Sequence, residues 1–166
     1  MVKANVGIVP ESESPPSFLT AAEYLEFVAR LRSLDEIPEK VTYWLDWFGI
    51  PDKRNTLCKD LSKGQRQKVM LAGAFIHDPK LLFLDEPFVN LDPIYQRKCR
   101  NLLMEIVADG GTIFLCTHIL EVAERVCTRV AVIDRGHVLA AGTIDELKNN
   151  DDETLEDVFI RLVGAS

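Results

Sequence analysis

Two adjacent acids follow a short apolar segment, and together they could bind a metal ion and activate a water molecule beside a phosphate ligand. Leu81 to Leu84 is continuously apolar, which indicates a buried strand of a parallel sheet, and Asp85 and Glu86 come directly after it. Ligands of open α/β sheets bind at the carboxyl ends of the strands. One carboxylate there can hold Mg²⁺ through water, while the other polarises an attacking water. Two acids that only close a turn are the alternative.

A second candidate site comes earlier in the chain, at a predicted helix start. Ser62 and Gln65 have the spacing of a capping box, so a helix begins here with free N–H groups at its positive end. Such an end binds anions, phosphate included, and Gly64 lets a phosphate approach the backbone closely. Nearby cations add positive charge: Lys63, Arg66 and Lys68. A capping box with a solvated basic face is the alternative.

His118 is the third candidate. It follows Thr112 to Cys116, which predicts a second buried strand, so we expect it at the same edge of the sheet as Asp85 and Glu86. An imidazole in that position can donate a hydrogen bond to a phosphate or partner the acid that activates water. A histidine with only a structural role is the alternative.

The elements that must position these groups are of two kinds. Over residues 18–77, apolar side chains recur at helical spacing behind capping residues, which predicts a helical segment. Over residues 80–141, predicted strands and helices alternate, and the last two strands read as a hairpin around 134–136. This alternation is typical of an α/β fold, a parallel sheet flanked by helices. An acidic linker and a terminal helix complete residues 145–166.

Composition excludes several classes of function. The 166 residues carry a formal charge of −7 and are 47% hydrophobic, which fits one globular domain and argues against nucleic-acid binding through a broad basic surface. The longest apolar run, Val69 to Ile76, is far shorter than the roughly 20 residues of a membrane helix. The four cysteines are widely spaced, which favours free thiols over a zinc site.

In their order along the chain, these segments resemble the nucleotide-binding domain of ABC transporter ATPases. The matching motifs are the signature (LSKGQ, 61–65), Walker B with its catalytic glutamate (LLFLDEP, 81–87), the D-loop (VNLD, 89–92), the H-loop (Thr117-His118) and the Q-loop segment (NVGIVPE, 5–11). The ending LEDVFIRLVG (155–164) is similar to that of drug- and polysaccharide-exporter ATPases. The resemblance implies a partial P-loop NTPase fold over 1–166, with a helical subdomain at 18–77, an α/β core part at 78–144, and a linker and helix at 145–166.

The resemblance also implies ATP and Mg²⁺ as cofactors and assigns roles to the candidate residues. Asp85 and Glu11 would hold the metal, Glu86 would be the general base, and His118 would contact the γ-phosphate. The residues implied to meet ATP held by an opposite subunit, or to couple the two sites, are Ser62, Gly64, Gln65 and Asp92. The partners implied are a second nucleotide-binding domain in a head-to-tail dimer and separate transmembrane permease subunits, with the protein peripheral on the cytoplasmic face of the cell membrane.

Three departures from the family pattern qualify the resemblance. Lys63 replaces the first glycine of the signature pair, and Glu11 stands where the Q-loop has glutamine. The 166 residues contain no Walker A motif, G-x-x-x-x-G-K-[ST]. We therefore expect the chain to correspond to the C-terminal two-thirds of such a domain and to be inactive alone.

Two alternatives accompany the transporter interpretation. An ABC ATPase of DNA repair or chromosome maintenance would insert a long coiled coil or a zinc module before the signature, and the segment from Glu11 to Leu61 has neither heptads nor cysteine pairs. A non-catalytic module that docks on a membrane protein or on an intact ATPase would need no Walker A. Such a module has no physical need for Asp85, Glu86 and His118.

Overall fold

A computed structural model describes residues 5–11 and 14–164. The chain divides into two compact units, Met1–Cys116 and Thr117–Ser166. The predicted division at residues 77 and 144 stays a prediction.

Three α-helices occupy most of the first unit before its central strand. Helix α1 spans Ala21–Leu31, α2 spans Ile37–Trp47 and α3 spans Lys63–Phe75, with short 3-10 turns at Pro51–Lys53 and Cys58–Asp60. The second half of α3 is buried on all sides, since every residue from 68 to 75 is buried. Apart from Lys68 these residues carry no charge, as is typical of a helix in a core, and α1 and α2 pack against α3.

A three-stranded parallel sheet completes this unit, as the sequence predicts. Strands β1 (Val6–Val9), β2 (Leu81–Asp85) and β3 (Thr112–Cys116) lie in the order β1-β2-β3, and helix α4 (Pro93–Ala108) connects β2 to β3. α3 packs on β1 and α4 on β3. The sheet therefore runs parallel and carries helices, which confirms the predicted fold class.

The two faces of this sheet differ in burial. One face lies against α3, since a Cβ at Gly7 would meet the Ala74 carbonyl, and on this face Val9, Leu82 and Leu84 are buried. The opposite face carries one row of apolar side chains in register, Ile8, Phe83 and Phe114, which are 58%, 41% and 56% exposed. The rings of Phe83 and Phe114 stack with their centroids 5.0 Å apart and their planes 8° from parallel.

The second unit begins after β3. It contains α5 (Leu120–Val126), the antiparallel hairpin β4 (Val130–Asp134) and β5 (His137–Gly142), α6 (Ile144–Leu147) and α7 (Leu155–Gly164). α7 packs on both strands of the hairpin and on α5. Throughout residues 5–11 and 14–164, no helix is both long and apolar enough to cross a bilayer.

Candidate functional site

The two acids at the end of β2 differ in backbone conformation. Asp85 is the last residue of β2, half-buried and in register with Cys116 of β3. Glu86 has a left-handed backbone with φ of +46°, and its N–H donates to the Cys116 carbonyl at 2.9 Å. A left-handed conformation costs a residue other than glycine about 1 kcal/mol. The surrounding structure therefore holds Glu86 away from the direction of the strand.

Residues 86–92 form a compact loop, here called the 86–92 loop. Val89 N–H donates to the Glu86 carbonyl at 3.2 Å, and Leu91 N–H donates to the Phe88 carbonyl at 3.3 Å. Phe88 and Leu91 are buried. The side chain of Gln96 in α4 donates from Nε2 to the carbonyls of both these residues, each at 3.2 Å. The loop that carries Glu86 is thus anchored by its own bonds and by α4.

The start of α3 has the predicted capping box. Ser62 Oγ accepts from the Gln65 N–H at 3.2 Å, and Gln65 Oε1 accepts from the Ser62 N–H at 2.9 Å. The N–H groups of Lys63 and Gly64 make no hydrogen bond within the part of the chain that the structure describes. These two donors, with the helix dipole behind them, can bind one anionic oxygen.

The cations expected at this helix start do not all face it. Arg66 donates from Nη1 to the carbonyls of Leu61 at 2.8 Å and Lys59 at 3.3 Å. Lys68 is buried and pairs with a carboxylate of another element. Of the three cations, only Lys63 is an exposed side chain at the helix start.

Gly64 has a role that the sequence does not reveal. A Cβ added at Gly64 would lie 2.5 Å from the carbonyl oxygen of Asn90 in the 86–92 loop. Real Cβ contacts are not that short. The missing side chain therefore lets this loop pack directly on α3, whatever it also does for a phosphate.

Asp92 connects the two helices on either side of the loop. Its Oδ1 accepts from the N–H groups of Ile94 and Tyr95, both at 3.1 Å, which caps α4, and its Oδ2 lies 3.3 Å from Lys68 Nζ. Burial raises the pKa of the Asp92 carboxyl, but the hydrogen bonds from the Tyr95 backbone and from Lys68 outweigh it and hold the pKa below its ordinary value. Asp92 is therefore an ionised cap in a charged pair.

Glu11 and His118 are exposed and lie just beyond strand ends. Glu11 follows the end of β1 by two residues, so it comes at the carboxyl edge of the sheet where Asp85 lies. His118 follows the end of β3 by two residues and belongs to the second unit. That His118 acts together with Asp85 and Glu86 stays a prediction.

The donor set at this edge suits Mg²⁺ bound together with a nucleotide. No group of three or more acidic, histidine or cysteine side chains is placed to hold a metal by itself within residues 5–11 and 14–164. Mg²⁺ is usually held by one or two carboxylates together with water and substrate phosphates. A half-buried carboxylate at a strand end, as in Asp85, is of the type that can serve as a protein ligand in such a shell.

Comparison with known proteins identifies the family. The family model described as "ABC transporter" matches residues 1–89. An uncharacterised ABC transporter ATP-binding protein of Synechocystis is 34% identical, over 90% of this chain and 44% of its own length. The daunorubicin/doxorubicin resistance ATP-binding protein of Streptomyces peucetius is also 34% identical, over 90% of this chain and 46% of its own. A solved structure, an ATP-binding subunit of an ABC transporter, matches 97% of this chain and 69% of its own, with a TM-score of 0.87 and 29% identity.

The chain has a parallel sheet with acids at its carboxyl edge, and a helix start whose first N–H groups can bind an anion. This is the architecture of a nucleotide-binding α/β protein. Within that class, the chain belongs to the family of ABC transporter ATP-binding proteins. It spans about half the length of the curated relatives it matches.

Proposed function

We propose that this chain provides the signature, Walker B and switch residues of an ATP-hydrolysing subunit that drives transport. The observation that carries the proposal is the pair of acids at the end of β2. Asp85 is the last residue of the strand, whereas Glu86 has a left-handed backbone that ends it. Two neighbouring carboxylates can then do different work, one holding a metal and the other accepting a proton from water.

The other predicted residues complete this proposal. Mg²⁺ supplies charge stabilisation to the phosphates when bound, and Asp85 holds it, assisted by Glu11. Glu86 accepts the proton of the attacking water, and His118 donates a hydrogen bond to the γ-phosphate. The free N–H groups at Lys63 and Gly64, with the Ser62 and Gln65 side chains beside them, bind the γ-phosphate of ATP held by an opposite subunit.

The partners in the proposal follow the family. A second ATP-binding domain faces this one head to tail, with Asp92 at the contact that couples the two sites. Separate permease subunits span the membrane, and this protein lies on their cytoplasmic side. Relatives include proteins named for methionine import and for Nod factor export, so the names of relatives do not fix the direction of transport.

The first test is ATP binding by the chain alone. A backbone loop that surrounds the α- and β-phosphates supplies much of the binding energy in P-loop proteins, and these 166 residues contain no such motif. Calorimetry with Mg-ATP should give no binding tighter than about 10 µM, roughly −7 kcal/mol. Tighter binding would mean that the nucleotide site lies elsewhere in the chain.

The second test is hydrolysis in a fusion that places the Walker A segment of a relative before residue 1. Glu86→Gln keeps size and hydrogen bonding but removes the base, so the rate should fall by about 10²–10⁴ while ATP still binds. Asp85→Asn should instead weaken Mg²⁺-dependent binding. A Glu86→Gln rate within a few-fold of the parent would place the base elsewhere, with His118 the next candidate. A fusion that binds no ATP would favour the alternative interpretation, in which the chain is a non-catalytic docking module.

A further inference from the structure

One face of α3 contacts the 86–92 loop at three points. Gly64, Gln67 and Lys68 are three and four residues apart, so they share this face. Gly64 lies against the Asn90 carbonyl, and Gln67 Nε2 donates to the Pro87 carbonyl at 3.1 Å. The third contact is the pair between Lys68 and the Asp92 carboxylate.

Lys68 is unusual among these contacts because it is a buried charge. Its Nζ lies 3.3 Å from Asp92 Oδ2 and 3.3 Å from the centroid of the Tyr95 ring, and only 9% of the residue is exposed. An apolar side chain could fill the same volume, and a buried ion pair is seldom more stabilising than such a replacement. What the lysine adds is a fixed position for Asp92, because the carboxylate must stay within reach of it.

The loop needs such outside contacts to keep its shape. Glu86 and Asn90 both have left-handed backbones, with φ of +46° and +65°, and neither is glycine. The loop contains only two backbone hydrogen bonds of its own among those the structure describes, from Val89 and from Leu91. Besides the bonds from α4 and β3, its conformation at Glu86 therefore depends on where Pro87 and Asp92 are held.

We propose that Gln67 and Lys68 are positioning residues that join α3 and the 86–92 loop into one body. Anion binding at the start of α3 is then coupled to the orientation of Glu86, because α3 and the loop move together. The effect of this coupling on catalysis rests on the proposed function, whereas the contacts between α3 and the loop do not depend on it.

The test is hydrogen exchange on the full chain without nucleotide, using variants of two lysines that lie over the same ring. Lys68→Met keeps the aliphatic length but removes the charge. Lys98→Met is the matched control, because Lys98 Nζ lies 5.1 Å from the Tyr95 centroid and, among the described contacts, bonds to the Trp47 carbonyl and not to Asp92. Lys68→Arg restores the charge.

We expect Lys68→Met to speed exchange in peptides covering the 86–92 loop by about tenfold or more, with under about threefold change in α1. Lys98→Met should leave the loop within about threefold of the parent, and Lys68→Arg should return it to that range. An equal increase of the exchange rate in α1 and in the loop would show that the lysine has only a structural role, and would overturn the proposal. An unchanged exchange rate in the loop, or an equal effect of Lys98→Met, would also overturn it. If Lys68→Met does not fold, Gln67→Leu, which removes the bond to the Pro87 carbonyl, should raise loop exchange in the same selective way.

A second measurement separates this proposal from the proposed function. In the fusion that hydrolyses ATP, Lys68→Met should lower kcat by about tenfold and leave ATP affinity within about threefold, because the described contacts of the lysine are with Asp92 and the Tyr95 ring. An unchanged kcat would overturn the coupling. A parent fusion without ATPase activity would refute the proposed function, while the exchange result would still decide whether α3 and the loop are one body.

Discussion

Replacing Gly64 by alanine tests the close contact between α3 and the 86–92 loop. The added Cβ would lie 2.5 Å from the Asn90 carbonyl oxygen, a backbone atom that cannot swing aside as a flexible side chain does. Forcing an extra methyl into a packed site costs about 1–3 kcal/mol. Alanine recovers up to about 1 kcal/mol as the better helix former. Because the clash is with backbone, the cost lies in the upper part of that range, about 2–3 kcal/mol, so the net expectation is a loss of about 1–2 kcal/mol in the free energy of unfolding.

Urea unfolding followed by tryptophan fluorescence measures this loss. Both tryptophans, Trp44 and Trp47, lie in α2, so the signal reports on the first unit, where the contact is made. At this chain length, the melting temperature should fall by about 2–8 °C. The matched control is Lys63→Ala, which places the same residue one position earlier at an exposed site and should change stability by less than about 0.5 kcal/mol.

An equal stability of the two variants would refute the reasoning. Gly64 would then serve only the approach of a phosphate, and the contact with Asn90 would not constrain the chain. A large loss for Gly64→Ala alone would mean that the glycine is needed even without nucleotide.

Three further predictions concern surface, thiols and pH. The exposed sheet face should drive self-association, so sedimentation at on the order of tens of micromolar should show oligomers that Phe83→Ser with Phe114→Ser reduces, whereas a strictly monomeric parent would contradict this. Burial raises the pKa of the Cys99 thiol to about 12, so a thiolate reagent at mildly alkaline pH should label the exposed Cys116 first and Cys99 only on unfolding; early labelling of Cys99 would disprove its burial. Burial lowers the pKa of His77 below 6.5, so the unfolded chain binds that proton more readily and stability should fall as the pH drops below about 6.5. His77→Gln should flatten this part of the stability curve, and parallel curves would rule His77 out.

The sequence predicts most of the local structure because its signals are local. The capping box predicted at Ser62 forms, and the structure has the same local signal at Thr20 and Thr143, where capping boxes form, and at Asp92, which caps α4. The start of α2 has a weaker signal in the sequence, because its N-cap, Glu36, has a left-handed backbone and no side-chain cap. Pro38 alone marks that start, so the helix begins one residue earlier than the proline indicates.

The candidate site was predicted less completely, because part of it depends on contacts between distant elements. Asp85 and Glu86 are visible as acids after an apolar strand. Lys68 reads as one more surface cation, and only the fold reveals that it is buried against Asp92. The signal that was available is its place directly before an apolar run, Val69 to Ile76, on a helix that the core surrounds. The contact of Gln67 with the Pro87 carbonyl has no signal in the sequence.

The pairing of β1 with β2 has a consequence for the order of folding. Val6 lies opposite Leu81, so all three helices α1 to α3 fall within the connection between two neighbouring strands. Closing so long a loop carries an entropic cost that is offset only when both ends are ordered, and pairings between distant segments form slowly. A Cβ at Gly7 would lie 2.5 Å from the Ala74 carbonyl of α3, so β1 needs α3 in place as well as β2. β1 therefore docks only after α3 and β2 are ordered, and a substitution that delays α3 lowers the yield of folded protein by leaving Val9, which is buried in the folded chain, exposed to other chains for longer.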